Sequence, residues 1–114
     1  MDLVKQYYEA ITDERIDALP LADDFRFEGP IMQINGAEEF KSQLKQMRPM
    51  IKSMDLEQQF SSGDEHCAVY TFHANIPIKP VRMAEWFSLR GDKISRIRLV
   101  FDASEMRLAM NAGA

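Results

Sequence analysis

Cysteine is all but missing from this chain: Cys67 is the only one in 114 residues. No internal disulfide can form and nothing points to an oxidising compartment, so a cytoplasmic protein is expected. Long apolar runs are missing as well. No stretch approaches the ~20 residues of a membrane span, and Met1 to Lys5 lack the basic-then-apolar pattern of a secretory leader. Glycine and proline, five each, are too scattered to make a linker, which leaves one domain over residues 1–114 as the expected organisation. Excess positive charge is absent too. The net charge is −4 and the basic residues are dispersed, apart from Arg96 and Arg98 on one expected strand, so neither nucleic acid nor membrane is an expected partner. His66 and His73 are the only histidines. No His/Cys/carboxylate cluster has metal-ligand spacing, no glycine-rich loop follows a strand to cradle phosphate, and Cys67 has no activating neighbour. No metal, cofactor or thiol chemistry is expected.

What is present is periodicity, of two kinds. Leu3, Val4, Tyr7, Tyr8 and Ile11 form one helical stripe over residues 2–12, with Asp2 placed to cap it. Thr12 and Asp13 are placed to cap a second, short helix through Ile16 and Leu19 that Pro20 limits. Phe25 and Phe27 flank Arg26 in a strand over 24–29 closed by Gly29-Pro30. A capping box of Asn35 and Glu38 opens the main helix through Phe40, Leu44 and Met47, up to Arg48-Pro49. The period then becomes two: Met54, Leu56 and Phe60 alternate with polar residues up to the turn at Ser61-Ser62-Gly63-Asp64. Residues 65–76, 81–90 and 93–101 complete a four-stranded meander. Asp102 and Glu105 are placed to cap a last helix carrying Met106 and Met110, before a loose tail at 111–114. Helices first and a meander afterwards predict an α+β domain whose curved antiparallel sheet wraps the helices.

Several segments, in this order, resemble one family. Gln6-Tyr7-Tyr8-Glu9-Ala10-Ile11, Ala22-Asp23-Asp24, Glu28-Gly29-Pro30 and Gly36-Ala37 are followed by Ala84-Glu85-Trp86-Phe87, Lys93-Ile94 with Arg98, and Ala112-Gly113-Ala114. The chain thereby resembles, over nearly its whole length, the cone-shaped nuclear transport factor 2-like family, which includes ketosteroid isomerase and the SnoaL-like polyketide cyclases. In the isomerase a base shuttles a proton while a tyrosine and a protonated acid hydrogen-bond the enolate oxygen. The resemblance matches the tyrosine to Tyr7, the acid to Glu85 and the base to Gly29, which has no side chain to take a proton. A substitute base would have to be Glu28, Asp24 or Asp102.

Tyr7 and Tyr8 point in different directions, and the resemblance favours Tyr7 as the pocket hydroxyl. Glu85 shares a strand face with Met83, Phe87 and Leu89, where a carboxyl would be desolvated and its pKa raised. Two registers are open: a two-residue loop at Gly91-Asp92 sets Glu85 opposite Arg98 as an ion pair, a three-residue loop sets it opposite Ile97. The expected lining of a pocket is Tyr7, Phe27, Tyr70, Phe72, Glu85, Phe87, Leu99 and Phe101. The eight methionines read either as adaptable core filling or as the wall of a cavity for a flat or irregular apolar ligand. Two functions stay open: an isomerase-, cyclase- or lyase-like enzyme stabilising an enolate of a small apolar carbonyl compound, or a non-catalytic ligand-binding or assembly domain. Trp86, Val69, Thr71, His73 and, depending on register, Arg96 and Arg98 fall on the opposite sheet face, which is expected to pair with its copy in a homodimer.

Overall fold

The computed structural model describes residues 2–112. Helix α1, Leu3–Thr12, starts where expected, with the Asp2 carboxylate accepting from the Lys5 amide, and it buries its whole apolar stripe. The expected second helix is only a single 3₁₀ turn, Ile16–Ala18, with no side-chain cap. The reason lies just before it: Glu14 adopts φ 57°, a left-handed conformation that ends α1 and turns the chain. Strand β1, Leu21–Glu28, begins three residues earlier than predicted and is followed by β2, Gln33–Asn35, which the sequence analysis missed. Asn35 is therefore no helix cap. Its side chain accepts from Arg26 Nε, and helix α2, Ala37–Met47, starts from Gly36 at φ 98° with no side-chain cap. A second 3₁₀ turn, Arg48–Met50, leads into β3, Ile51–Ser62. Strands β4, Glu65–Ala74, β5, Val81–Arg90, and β6, Lys93–Val100, then run as a meander. Helix α3, Ser104–Ala112, follows Asp102, whose carboxylate accepts from both the amide and the hydroxyl of Ser104. The tail expected to be loose is thus helical through Ala112, and Gly113 and Ala114 lie outside the described residues.

The six strands form one sheet in the order β2-β1-β6-β5-β4-β3. It is mixed rather than purely antiparallel. The chain leaves β1 through β2 and α2 to the far edge and comes back strand by strand, so β6 arrives beside β1 running parallel to it. The sheet does not close, and shifts of register in β1, β3 and β6 bend it. Its inner face packs on α1 and α2 around Val4, Ile11, Phe25, Phe87, Ile94 and Ile97, all fully buried. Among the described residues no helix is long and apolar enough to cross a membrane.

On the outer face, register aligns Glu28, Arg98, Trp86, Cys67 and Phe60 in one cross-strand row. The Arg98 guanidinium stacks 3.4 Å from the Trp86 ring centroid, yet Trp86 remains 45% exposed and Phe60 60%. Phe60 faces outward because the register shift between Leu56 and Gln58 reverses the alternation that began at Met54. Thr71 donates to Glu57 and His73 lies 3.0 Å from Asp55, both on this face as expected.

Candidate functional site: an acid beneath a methionine-lined cavity

Strand β5 carries Glu85 inward between Met83 and Phe87, and the carboxyl is only 3% exposed. Neither register considered from the sequence occurs. The hairpin loop is the two-residue one, with Gly91 at φ 65° and Arg90 opposite Lys93, but one extra residue, Ser95, bulges out of β6 and shifts the pairing. Glu85 consequently faces Leu99 and Trp86 faces Arg98, so no Glu85–Arg98 ion pair forms.

The partners of Glu85 are tyrosines. Tyr8 Oη donates to Glu85 Oε1 at 2.7 Å, reaching it from α1, which packs on the sheet's inner face. This contact was not expected from the sequence; Tyr7, expected as the pocket hydroxyl, lines the cavity above this acid, and Tyr8 does not. Both tyrosines lie on the same apolar stripe one residue apart, and only the way α1 lies on the sheet decides which ring meets the acid. The Tyr70 hydroxyl, 3.3 Å from Met83 Sδ, lies close enough to bear on the same carboxyl. Desolvation pushes the Glu85 pKa up to about 7, and hydrogen bonds from Tyr8 and Tyr70 hold it from rising further. Burial and the nearby carboxyl raise all three tyrosines, which therefore stay neutral donors.

Above this acid opens a cavity of about 450 Å³ between the sheet's inner face, α1, α2 and α3. Tyr7, Phe27, Tyr70, Phe72, Glu85, Leu99 and Phe101 line it, as expected. Phe87 does not: its ring is fully buried behind the cavity, 5.3 Å from the ring of Tyr7 and 5.9 Å from that of Tyr8, where it supports both. The Tyr7 hydroxyl has no hydrogen-bond partner among the described residues and belongs to the cavity wall. The methionines do both things the sequence allowed: Met83 belongs to the core, with Met32, Met54 and Met106 packed against it, and all of them also face the cavity. Met32, Met47, Met50, Met54, Met83, Met106 and Met110, every methionine of the described residues, line this one cavity. Their number was visible in the sequence; their convergence was not, because they come from six different segments of the chain.

The wall contains no lysine, arginine or histidine among the described residues, and Glu85 is its only carboxyl. None of the substitute bases reaches it. Glu28 points outward and pairs with Arg96, exposed Asp24 pairs with Arg90, and exposed Asp102 caps α3. Ion pairs hold Glu28, which strand alternation turns outward, and Asp24 away, and the hydrogen bonds from Ser104 hold Asp102. Gly29 does line the cavity, and a Cβ there would meet Phe27 Cε1 at 3.2 Å and Leu99 Cβ at 3.7 Å. The ring of Phe27 therefore lies against the place where a side chain at 29 would begin.

Residues 4–97 match the sequence profile of the SnoaL-like domain. None of the curated proteins matches the sequence. Among solved structures, a nuclear transport factor 2-like protein of unknown function from Cytophaga hutchinsonii superimposes with a TM-score of 0.84 at 22% identity, over 93% of this chain and 92% of that one. A provisionally assigned polyketide cyclase from Sinorhizobium meliloti gives a TM-score of 0.80 at 18% identity, over 88% and 94%. A hypothetical protein with a ketosteroid isomerase-like fold from Catenulispora acidiphila, in complex with trimethylamine, gives 0.78 at 22%, over 95% and 91%.

Proposed function

The chain belongs to the SnoaL-like domain family, and from that premise we propose that it is a cytoplasmic pocket protein for a small, largely apolar compound carrying one carbonyl, enol or phenol oxygen. The observation that carries this reading is that a Tyr7 hydroxyl without a partner among the described residues and a buried Glu85 carboxyl both line a cavity whose wall, Gln43 and Tyr70 apart, is apolar. A hydroxyl left without a partner on a cavity wall favours a ligand that supplies an acceptor. With no cation in the wall, a carboxylate or phosphate ligand would be buried without compensation, so the ligand's polar end is neutral or only weakly acidic. The single cysteine supports the cytoplasmic placement.

Two outcomes are open to such a ligand. With a pKa of about 7, Glu85 exchanges a proton readily at neutral pH, and together with the Tyr7 hydroxyl it could stabilise an enolate as that charge develops. Glu85 would then have to supply the proton chemistry itself. The second reading is non-catalytic binding or assembly. Gly29 at the position of the family's base, with Glu28, Asp24 and Asp102 all turned elsewhere, favours it. We also propose that the outer sheet face pairs with its copy in a homodimer.

The test is a screen of planar phenols and enolate mimics against the wild type and Tyr7→Phe. Loss of the Tyr7 hydroxyl is expected to weaken the tightest phenol by roughly tenfold, the usual scale of one buried hydrogen bond. Affinities indifferent to that substitution would retire the oxyanion site. Turnover of a carbonyl substrate that vanishes in Glu85→Gln would select the enzyme reading over the binding one.

A further inference from the structure

The methionines of this wall are graded by access. Met50 and Met110, from the second 3₁₀ turn and from α3, are 37% and 50% exposed at the rim. Met32, Met47, Met54 and Met106 are half-buried. Met83, 4% exposed, lies at the bottom, its sulfur 3.3 Å from the Tyr70 hydroxyl. Thioether oxidation follows exposure, and each sulfoxide replaces a soft apolar surface with a strong, wet dipole. Resting on the proposed binding function, we infer that Met50 and Met110 are modification sites at which a hydroperoxide oxidises the rim and closes the cavity to apolar ligands.

The chemistry balances without help from the protein. A sulfur lone pair attacks the terminal HO oxygen of the peroxide, the O–O bond breaks, and the proton of the attacked oxygen passes to the other oxygen, which leaves as water or, from an alkyl hydroperoxide, as an alcohol. Sulfur is oxidised and the peroxide reduced. Two features make the rim an effective place for this. An apolar ligand must lose its water against these side chains, so a sulfoxide there must either be desolvated or keep its water in the ligand's way. The polar spot at Tyr7 and Glu85 stays chemically untouched, so the change acts on entry and burial alone. The reverse reaction, catalysed by methionine sulfoxide reductases, makes the effect reversible.

The experiment uses the full chain and the neutral dye Nile red. After mild hydrogen peroxide, peptide mass mapping is expected to find oxygen first on Met50 and Met110 and last on Met83. Nile red affinity should fall by roughly tenfold or more and return after sulfoxide reductase treatment. A Met50→Leu/Met110→Leu protein, close in volume and not oxidisable at the rim, should keep its own starting affinity for the dye, whatever that is, under the same mild treatment. Oxidation that starts at Met83 as readily as at the rim overturns the inference whatever the dye does. So does a rim-oxidised protein that binds Nile red unchanged. A reduced wild type that leaves the dye in water overturns the binding reading itself, and the inference with it.

Discussion

Glu85 is held between opposing influences, and that makes it the residue whose behaviour is most open to measurement. Burial favours its neutral form, while hydroxyl donors from Tyr8 and Tyr70 favour the charged one, and burial wins. The folded chain holds this proton up to about pH 7 and the unfolded chain releases it near 4.5. Its contribution to stability is therefore fully present below pH 4.5 and is lost as pH rises towards 7. Across that window the loss is on the order of 3 kcal/mol, at about 1.4 kcal/mol per pH unit. Urea unfolding at pH 5 and pH 8 should show this fall in the wild type but not in Glu85→Gln; equal pH dependence in both would mean that the acid is not desolvated. Tyr8→Phe removes a donor to the charged form. The Glu85 carboxyl should then titrate higher by NMR, and the protein should lose about 1–3 kcal/mol from the lost buried hydrogen bond.

Among the elements, the junction of α1, α2 and β3 hangs on one side chain. The Arg48 guanidinium donates to the carbonyls of Ile11 and Thr12 at the end of α1 and to that of Ile51 at the start of β3. The last carbonyls of a helix have no partners within it and carry its negative end, so a cation with a forked donor suits the place. Arg48→Ala is expected to cost about 2–3 kcal/mol in chemical denaturation, and Arg48→Lys should recover less than half of that, since a single ammonium does not reproduce the fork. Full rescue by lysine would reduce the role to charge alone. This junction also carries the wall of the cavity, because Met47, Met50 and Ile51 stand on either side of it.

At the scale of the whole molecule, the curved sheet sorts its two faces for different work. The inner face holds the cavity, and the outer face shows Trp86, Phe60 and Val100, the last 67% exposed, among the arginines and glutamates of β1, β4 and β6. Arg98 covers one side of Trp86 and leaves the rest of this patch to solvent. Aromatic and arginine side chains of this kind are enriched at the centres of protein interfaces. We expect a two-fold dimer in sedimentation at micromolar concentration, shifted to monomer by Trp86→Ala. A monomer in both proteins would show that the arginine stack is all the cover the face needs.

The sequence by itself determined what local periodicity can carry. The helical stripe of α1, the alternation of β4 to β6 and the grouping of Glu85 with Met83 and Phe87 on one strand face all follow from residues a few positions apart, whose geometry the backbone imposes. Order and spacing also identified the family. Only the tertiary structure decided the rest. Strand β2 is three residues long and exists because β1 offers it an edge, and the parallel pairing of β1 with β6 depends on where a long crossover returns the chain. One bulged serine changed the partner of Glu85. Tyr8 rather than Tyr7 met that acid because the two differ by a rotation about the α1 axis that no pattern on the helix itself sets. The methionine wall was likewise invisible: seven side chains scattered from residue 32 to residue 110 share a cavity only once six strands and three helices have brought their segments together.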